Sequence, residues 1–199
     1  MRKLLILTAC ALLSAVCIGN AAASDLRGRL AVTGRIGITN PANGEFRRTG
    51  SDDRLVVSTD AGIIGGGGFL FGVDENLAVE MDITRSSFYA SSFFGQTEVT
   101  NISMGAQYRF PERQRIIPYF GGGVDVLIND LPRNTAETVL GVHLSAGIDY
   151  VLQRNLSWTG EVKAVEAFSS DVKDFTGSRI GKFDPSNFSC TTGLRFYFN

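Results

Sequence analysis

Residues 77–87 read LAVEMDITRSS, and the alternation is strict. In an extended strand Leu77, Val79, Met81 and Ile83 fall on one face, and Ala78, Glu80, Asp82 and Thr84 on the other. The same period of two recurs in seven more segments. Leu30, Val32, Ile36 and Ile38 oppose Arg29, Thr33 and Arg35; Ile63, Phe69, Phe71 and Val73 oppose Gly62, Gly66, Gly68 and Gly72. Ile102, Met104, Tyr108 and Phe110 stand against Asn101, Ser103, Gln107 and Arg109, and Phe120, Val124, Val126 and Ile128 against Tyr119, Gly121, Gly123 and Asp125. Leu140, Val142, Leu144, Ile148 and Tyr150 oppose His143, Ser145 and Asp149, and Leu156, Trp158, Val162 and Ala164 oppose Ser157, Thr159, Glu161 and Lys163. The last segment sets Phe188, Cys190, Leu194, Phe196 and Phe198 against Thr191, Gly193, Arg195 and Tyr197.

The pattern predicts eight strands of about ten or more residues, long enough for a tilted path across a bilayer. The connections alternate in length. Those at 74–76, 111–116 and 152–155 are short, while those around 40–59, 87–97, 129–137 and 169–186 are long and polar. Tight turns on one side and long loops on the other are how outer-membrane barrels are threaded, with turns in the periplasm and loops outside.

A soluble eight-stranded barrel is the rival reading, with charges facing water and the apolar face lining a ligand cavity. Eight strands enclose an interior that modest side chains already fill. The face carrying Phe69, Phe71, Phe120, Phe196 and Phe198 is too bulky to fit there, whereas the glycine-rich face fits. The large face therefore points out, and outside must be lipid. The expected fold is all-β, an eight-stranded antiparallel transmembrane β-barrel with short periplasmic turns and long extracellular loops, placed in the bacterial outer membrane.

That orientation gives Glu80 and Asp82 a destination. A charge facing hydrocarbon is destabilising, by up to ~2–4 kcal/mol for Arg or Lys at the midplane and less for acids. Both acids must face the lumen, where buried charges need partners. Parity sends Arg29, Arg35, Arg109, Lys163 and Arg195 into the same interior as Glu80, Asp82, Asp125, Asp149 and Glu161, and the expectation is a salt-bridge network across it. Strand direction alternates, so parity also assigns heights. Ile64, Val99, Leu127, Val139 and Val165 point inward toward the long-loop side, making the upper lumen an apolar candidate substrate channel above a charged plug. A misplacement of strand ends by one residue would flip some of these faces.

Composition adds a leader and removes several alternatives. The chain of 199 residues opens MRKLLILTACALLSAVCIGNAAASD, in which Arg2 and Lys3 precede an apolar run and Ala21-Ala22-Ala23 offers a small-residue cleavage site. We read 1–23 as a cleaved signal peptide and 24–199 as the barrel domain. A lipoprotein signal with Cys10 or Cys17 lipidated is disfavoured, since Val16 is a poor residue before Cys17 and the run before Cys10 is very short. The mature part keeps one cysteine, Cys190, so no internal disulfide is available. The leader carries two of the 19 basic residues, leaving 17 against 20 acidic ones, a net charge of −3 that offers no signature of nucleic-acid binding. The 23 glycines and 14 phenylalanines agree with an all-β chain.

Four stretches carry a likeness to a known family: GAQYRF (105–110), IIPYFGGGVDVLIND (116–130), LSAGIDYVLQRNLSWTGEVKAV (144–165) and DPSNFSCTTGLRF (184–196). With these the chain resembles the OmpW family of small outer-membrane proteins, most specifically from residue 100 onward and weakly at 40–59. The resemblance implies an eight-stranded barrel with a narrow apolar channel for small hydrophobic molecules, released sideways through the wall, without a cofactor. Some members of that family serve as phage or colicin receptors, and the runner-up reading is a structural or surface-interaction barrel with a closed lumen, whose loops bind such a partner. The end TGLRFYF matches the insertion signal through which such barrels meet the barrel-assembly machinery, with Asn199 departing from a terminal aromatic.

The remaining motifs have plainer readings. The glycine runs at 65–68 and 121–123 are followed by no Lys-Ser or Lys-Thr and open no helix, so they fit a tightly curved wall better than a phosphate cradle. His143 and Ser145 form a His-x-Ser pair of the kind found in outer-membrane lipid A deacylases. That chemistry needs the pair to face lipid, whereas parity turns both inward, and the expectation is no enzyme. One histidine and one lipid-facing cysteine make no metal cluster. Tyr108, Phe110, Tyr150, Trp158, Phe196 and Phe198 lie near the short-turn strand ends, where an aromatic girdle belongs.

Overall fold

The computed structural model describes residues 26–42, 44–47, 54–57, 60–90, 95–111, 115–131, 134–136, 138–168, 170–173, 179–183 and 185–198. The expected leader, with Cys10 and Cys17, lies outside the described residues, as does Asn199. Eight strands form the barrel: β1 (Leu30–Pro41), β2 (Gly62–Gly72), β3 (Leu77–Ala90), β4 (Gly95–Arg109), β5 (Ile116–Leu131), β6 (Val139–Gln153), β7 (Leu156–Ala167) and β8 (Asn187–Phe198). Each pairs antiparallel with the next, and β8 returns to β1 with Leu30 opposite Phe198 and Pro41 opposite Asn187, so the sheet closes.

Burial is the reverse of a soluble protein. Leu144, Ile63 and Ile38 are 74%, 67% and 63% exposed, whereas Arg195 and Asp149 have no exposed surface. The faces assigned from sequence hold along the barrel strands: charged residues such as Arg195 and small ones such as Ala31, Ala78 and Ser103 are buried within, while Ile63, Phe69, Val124 and Leu144 are exposed on the outer face. Near the short turns Tyr108, Phe110 and Phe120 stack on the outer wall with ring centroids 5.3–5.9 Å apart, and Phe196 meets Phe198 edge-on at 5.2 Å.

The long connections depart from the sequence reading. The stretch around 87–97, expected as a loop, continues the β3–β4 ladder up to Ala90 opposite Gly95. The alternation simply runs on: Phe88 points inward and is buried, Tyr89 points outward and is exposed. Residues 44–47 pair with 54–57, residues 170–173 with 179–183, and 134–136 joins both the top of β5 and the 170–173 strand. These segments have only three to five residues each, too few for a period of two to show in the sequence.

The short-turn end is held by local bonds. Val73 and Asp74 donate their N–H groups to Leu77 O at 2.8 and 3.0 Å, and Asn76 donates its side-chain amide to Arg109 O at 2.8 Å. Before β1, Gly28 adopts φ +75°, a left-handed conformation that costs glycine little. That turn lets Gly28 N reach Gly72 O at 2.8 Å and Arg29 N reach Leu26 O at 3.0 Å.

Candidate functional site

The bore inside the barrel is built as layers, one per level of the strand ladder. At the short-turn end Leu26, Ala31, Leu70, Ala78 and Tyr197 pack into an apolar cluster. Leu26 enters because the Gly28 turn folds it under the wall; a Cβ on Gly72 would sit 1.9 Å from Leu26 O, so only glycine admits the approach. Sequence parity did not reveal this floor, since Leu26 precedes the first strand.

Above it lies the first charge layer. Asp149 Oδ2 accepts from Arg109 Nη2, from Arg195 Nη1 at 2.7 Å and from the Tyr197 hydroxyl at 3.1 Å. Arg195 also donates through Nε to Thr33 Oγ1 at 2.9 Å and through Nη2 to Glu80 Oε1 at 3.0 Å, the last spanning from β8 to β3. Gln107 Nε2 donates to the other Glu80 oxygen. Tyr119 lies across this layer, with the Arg109 and Arg195 guanidinium carbons 5.3 and 5.6 Å from its ring centroid.

The next layer centres on Arg35. Its Nη1 donates to Glu161 Oε1 at 2.6 Å, and its Nη2 lies 2.8 Å from Glu80 Oε1 and 3.2 Å from Asp82 Oδ2. The Tyr119 hydroxyl donates to Glu161 Oε2 at 3.0 Å, tying the two layers together. One level higher Asp125 gathers Asn101 Nδ2 at 2.9 Å, His143 Nδ1 at 2.6 Å and Lys163 Nζ at 3.8 Å. Lys163 also crosses from β7 to donate to Ser103 Oγ on β4 at 2.8 Å.

Above this level the inward residues turn apolar. Ile64, Val99, Leu127 and Val165 are buried inside the bore, and Val139 pairs across from Leu127 on the inward parity of β6. Phe88 and Ala167 join them, interspersed with Ser86, Thr97 and Asn129. A cavity of about 950 Å³ opens at the long-loop end of the β6, β7, β8 and β1 wall. It is lined from within by His143, Val165 and Asn187, and from without by Val142, Leu144, Ala164 and Phe188.

All the expected charged residues except Arg29 stand in these layers. Arg29 sits at the short-turn rim, where its guanidinium lies 4.8 Å from the Tyr197 ring centroid and donates to Arg154 O at 3.3 Å. Glu80 and Asp82 meet Arg35, and Glu80 meets Arg195, whereas Arg109 serves Asp149 instead. The sequence reading missed Tyr119, Gln107 and the His143–Asp125 pair. A signal for Tyr119 existed: it is a large inward aromatic two residues before the glycine run 121–123. A Cβ on Gly147 would lie 2.5 Å from the Tyr119 hydroxyl, so the glycine clears the room that the ring occupies.

Known proteins bear on this architecture. A family model described as an outer membrane protein beta-barrel domain matches residues 8–196. The outer membrane protein OprG from Pseudomonas aeruginosa is similar in structure, with a TM-score of 0.69 at 14% identity, covering 87% of this chain and 97% of that one. The outer membrane protein AlkL gives 0.60 at 14% identity over 92% of this chain and 95% of the other. Neisserial surface protein A gives 0.59 at 13% identity over 86% and 100%. At these identities the likeness is one of fold. No curated protein matches the sequence.

Proposed function

Because the chain belongs to the outer membrane protein β-barrel domain family, and is thus an outer-membrane β-barrel, we propose that it is a passive channel for small hydrophobic molecules. In this reading solutes enter the apolar upper lumen from outside and leave sideways through the wall into the membrane. The observation that carries it is the stack of cross-lumen pairs below the apolar level, from Lys163–Ser103 through Arg35–Glu161 to Arg195–Asp149. An apolar solute moving straight down would have to part these groups, and leaving a buried charge unpaired costs about 3–5 kcal/mol. The wall is the easier route, because its outer side is already apolar. The cavity lined from both sides of the β6–β8 wall supports an exit there. The resemblance of the sequence to the OmpW family points the same way. The reading includes residues 1–23 as the export signal and β8 as the strand recognised by the barrel-assembly machinery.

Uptake of radiolabelled octane by outer-membrane vesicles, with and without the protein, tests this. Leu127→Asp or Ile64→Asp is expected to reduce uptake to the protein-free background while the barrel still assembles. Glu161→Gln or Lys163→Met is expected to leave uptake no higher than wild type. A second reading, a structural or surface-interaction barrel, is favoured by the complete burial of Leu127, which fits a closed lumen. Unchanged transport in both aspartate variants, or none in the wild type, would favour it.

A further inference from the structure

On β7 the outward positions toward the long-loop end run Val162, Ala164 and Glu166, and Phe168 follows just past the strand. Glu166 is exposed and stands opposite Val142 of β6. Leu140, Val142, Leu144 and Phe168 are exposed on the same outer face, so the acid interrupts an apolar surface. Among the described residues no side chain pairs with its carboxylate. Arg85 and Glu98, outward on β3 and β4 at the same end, differ in that they form an ion pair with each other. An ionisable group without a partner in a lipid-facing surface is destabilising, and by default it marks a site that something else completes. Glu166 also lines the cavity of about 950 Å³ at this end of the wall, beside Val142, Leu144, Ala164 and Phe188. The cavity has a second ionisable residue, His143, but Asp125 already holds its Nδ1 at 2.6 Å.

A neutral solute crossing this wall would leave the carboxylate as it is. A solute with an apolar body and a positive head would supply the missing partner and lay its chain on the apolar lining. Resting on the channel reading above, we propose that this cavity is a binding station for small apolar amines in their ammonium form. The ammonium group donates to the Glu166 carboxylate, a charge-assisted bond that is stronger than a neutral one. The alkyl chain lies against Val142, Leu144 and Phe188, which already face hydrocarbon. The same carboxylate repels an apolar acid in its anionic form, so the site discriminates by the sign of the head group.

Octylammonium, octanol and octanoate share a chain and carry a positive, a neutral and a negative head. They are offered, radiolabelled, to outer-membrane vesicles that carry the full chain and to vesicles that lack it. Protein-dependent uptake of octylammonium is expected to exceed that of octanol by about tenfold, the factor that one charge-assisted hydrogen bond supplies. Octanoate is expected to fall below octanol. Glu166→Gln keeps the size of the side chain and removes its charge, and is expected to bring the octylammonium-to-octanol ratio close to one while octanol uptake persists. Equal uptake of octylammonium and octanol by the wild type, or a preference that survives Glu166→Gln, overturns the inference. The channel reading then still stands if octanol enters faster than in protein-free vesicles. If neither octanol nor octane does, the channel reading falls and this inference with it. Should Glu166→Gln fail to assemble, octanoate decides: wild-type uptake at or above that of octanol rejects the inference.

Discussion

Asp149 shows how a single residue holds the lower bore. Two guanidinium groups and a phenol converge on its Oδ2, and none of these side chains has appreciable contact with solvent. Removing the carboxylate leaves Arg109 and Arg195 facing each other without it. Asp149→Ala is therefore expected to cost about 3–5 kcal/mol in urea unfolding from detergent micelles. Arg109→Met added to it is expected to recover part of that loss. A double-mutant cycle coupling below about 0.5 kcal/mol would show that the two side chains act independently. The partners themselves were not legible in the sequence. Parity gives each residue a face and strand direction gives it a height, but reach across the bore depends on how the strands stagger. Thus Glu80 meets Arg195 on β8, more than a hundred residues away, and Arg109 meets Asp149 rather than the acids of β3.

Among the elements, the strands were the most legible part, because an alternating face against lipid leaves no other register. Their upper ends were less so: Phe88 continues the alternation inside a stretch rich in serine, which reads as a loop by composition. The floor was legible only in part: parity turns Ala78 and Tyr197 inward, but Leu26 is brought beneath them by the left-handed turn at Gly28 rather than by a period. β6 illustrates how close neighbouring elements come. A methyl group on Gly147 would meet both Gly160 O and the Tyr119 ring at 2.5 Å, and backbone cannot yield cheaply. Gly147→Ala is expected to lose about 1–3 kcal/mol by overpacking. Its readout is the same urea titration, and the tyrosine fluorescence should change as the Tyr119 ring is displaced. Stability equal to wild type would mean that β6 and β7 can separate locally at no cost.

At the scale of the whole molecule, an apolar exterior and a paired, charged interior require a membrane or its substitute. Refolded in detergent, the mature chain is expected to give β-type circular dichroism and to migrate differently on a gel before and after boiling. Substantial helix, or solubility without detergent, would contradict the barrel. The closure of that barrel has a consequence in time. Its seam joins Leu30 to Phe198, the first strand to the last, so every intermediate that lacks β8 has two open edges. Hydrocarbon offers no donors or acceptors to such edges. An intermediate without β8 therefore cannot stand unpartnered in the bilayer; its two edges must stay paired with an assembly partner, or out of the hydrocarbon, until β8 closes against β1. Until then the nascent chain is a string of adhesive segments in transit, and loss of even the last few residues would turn an integral protein into an aggregate.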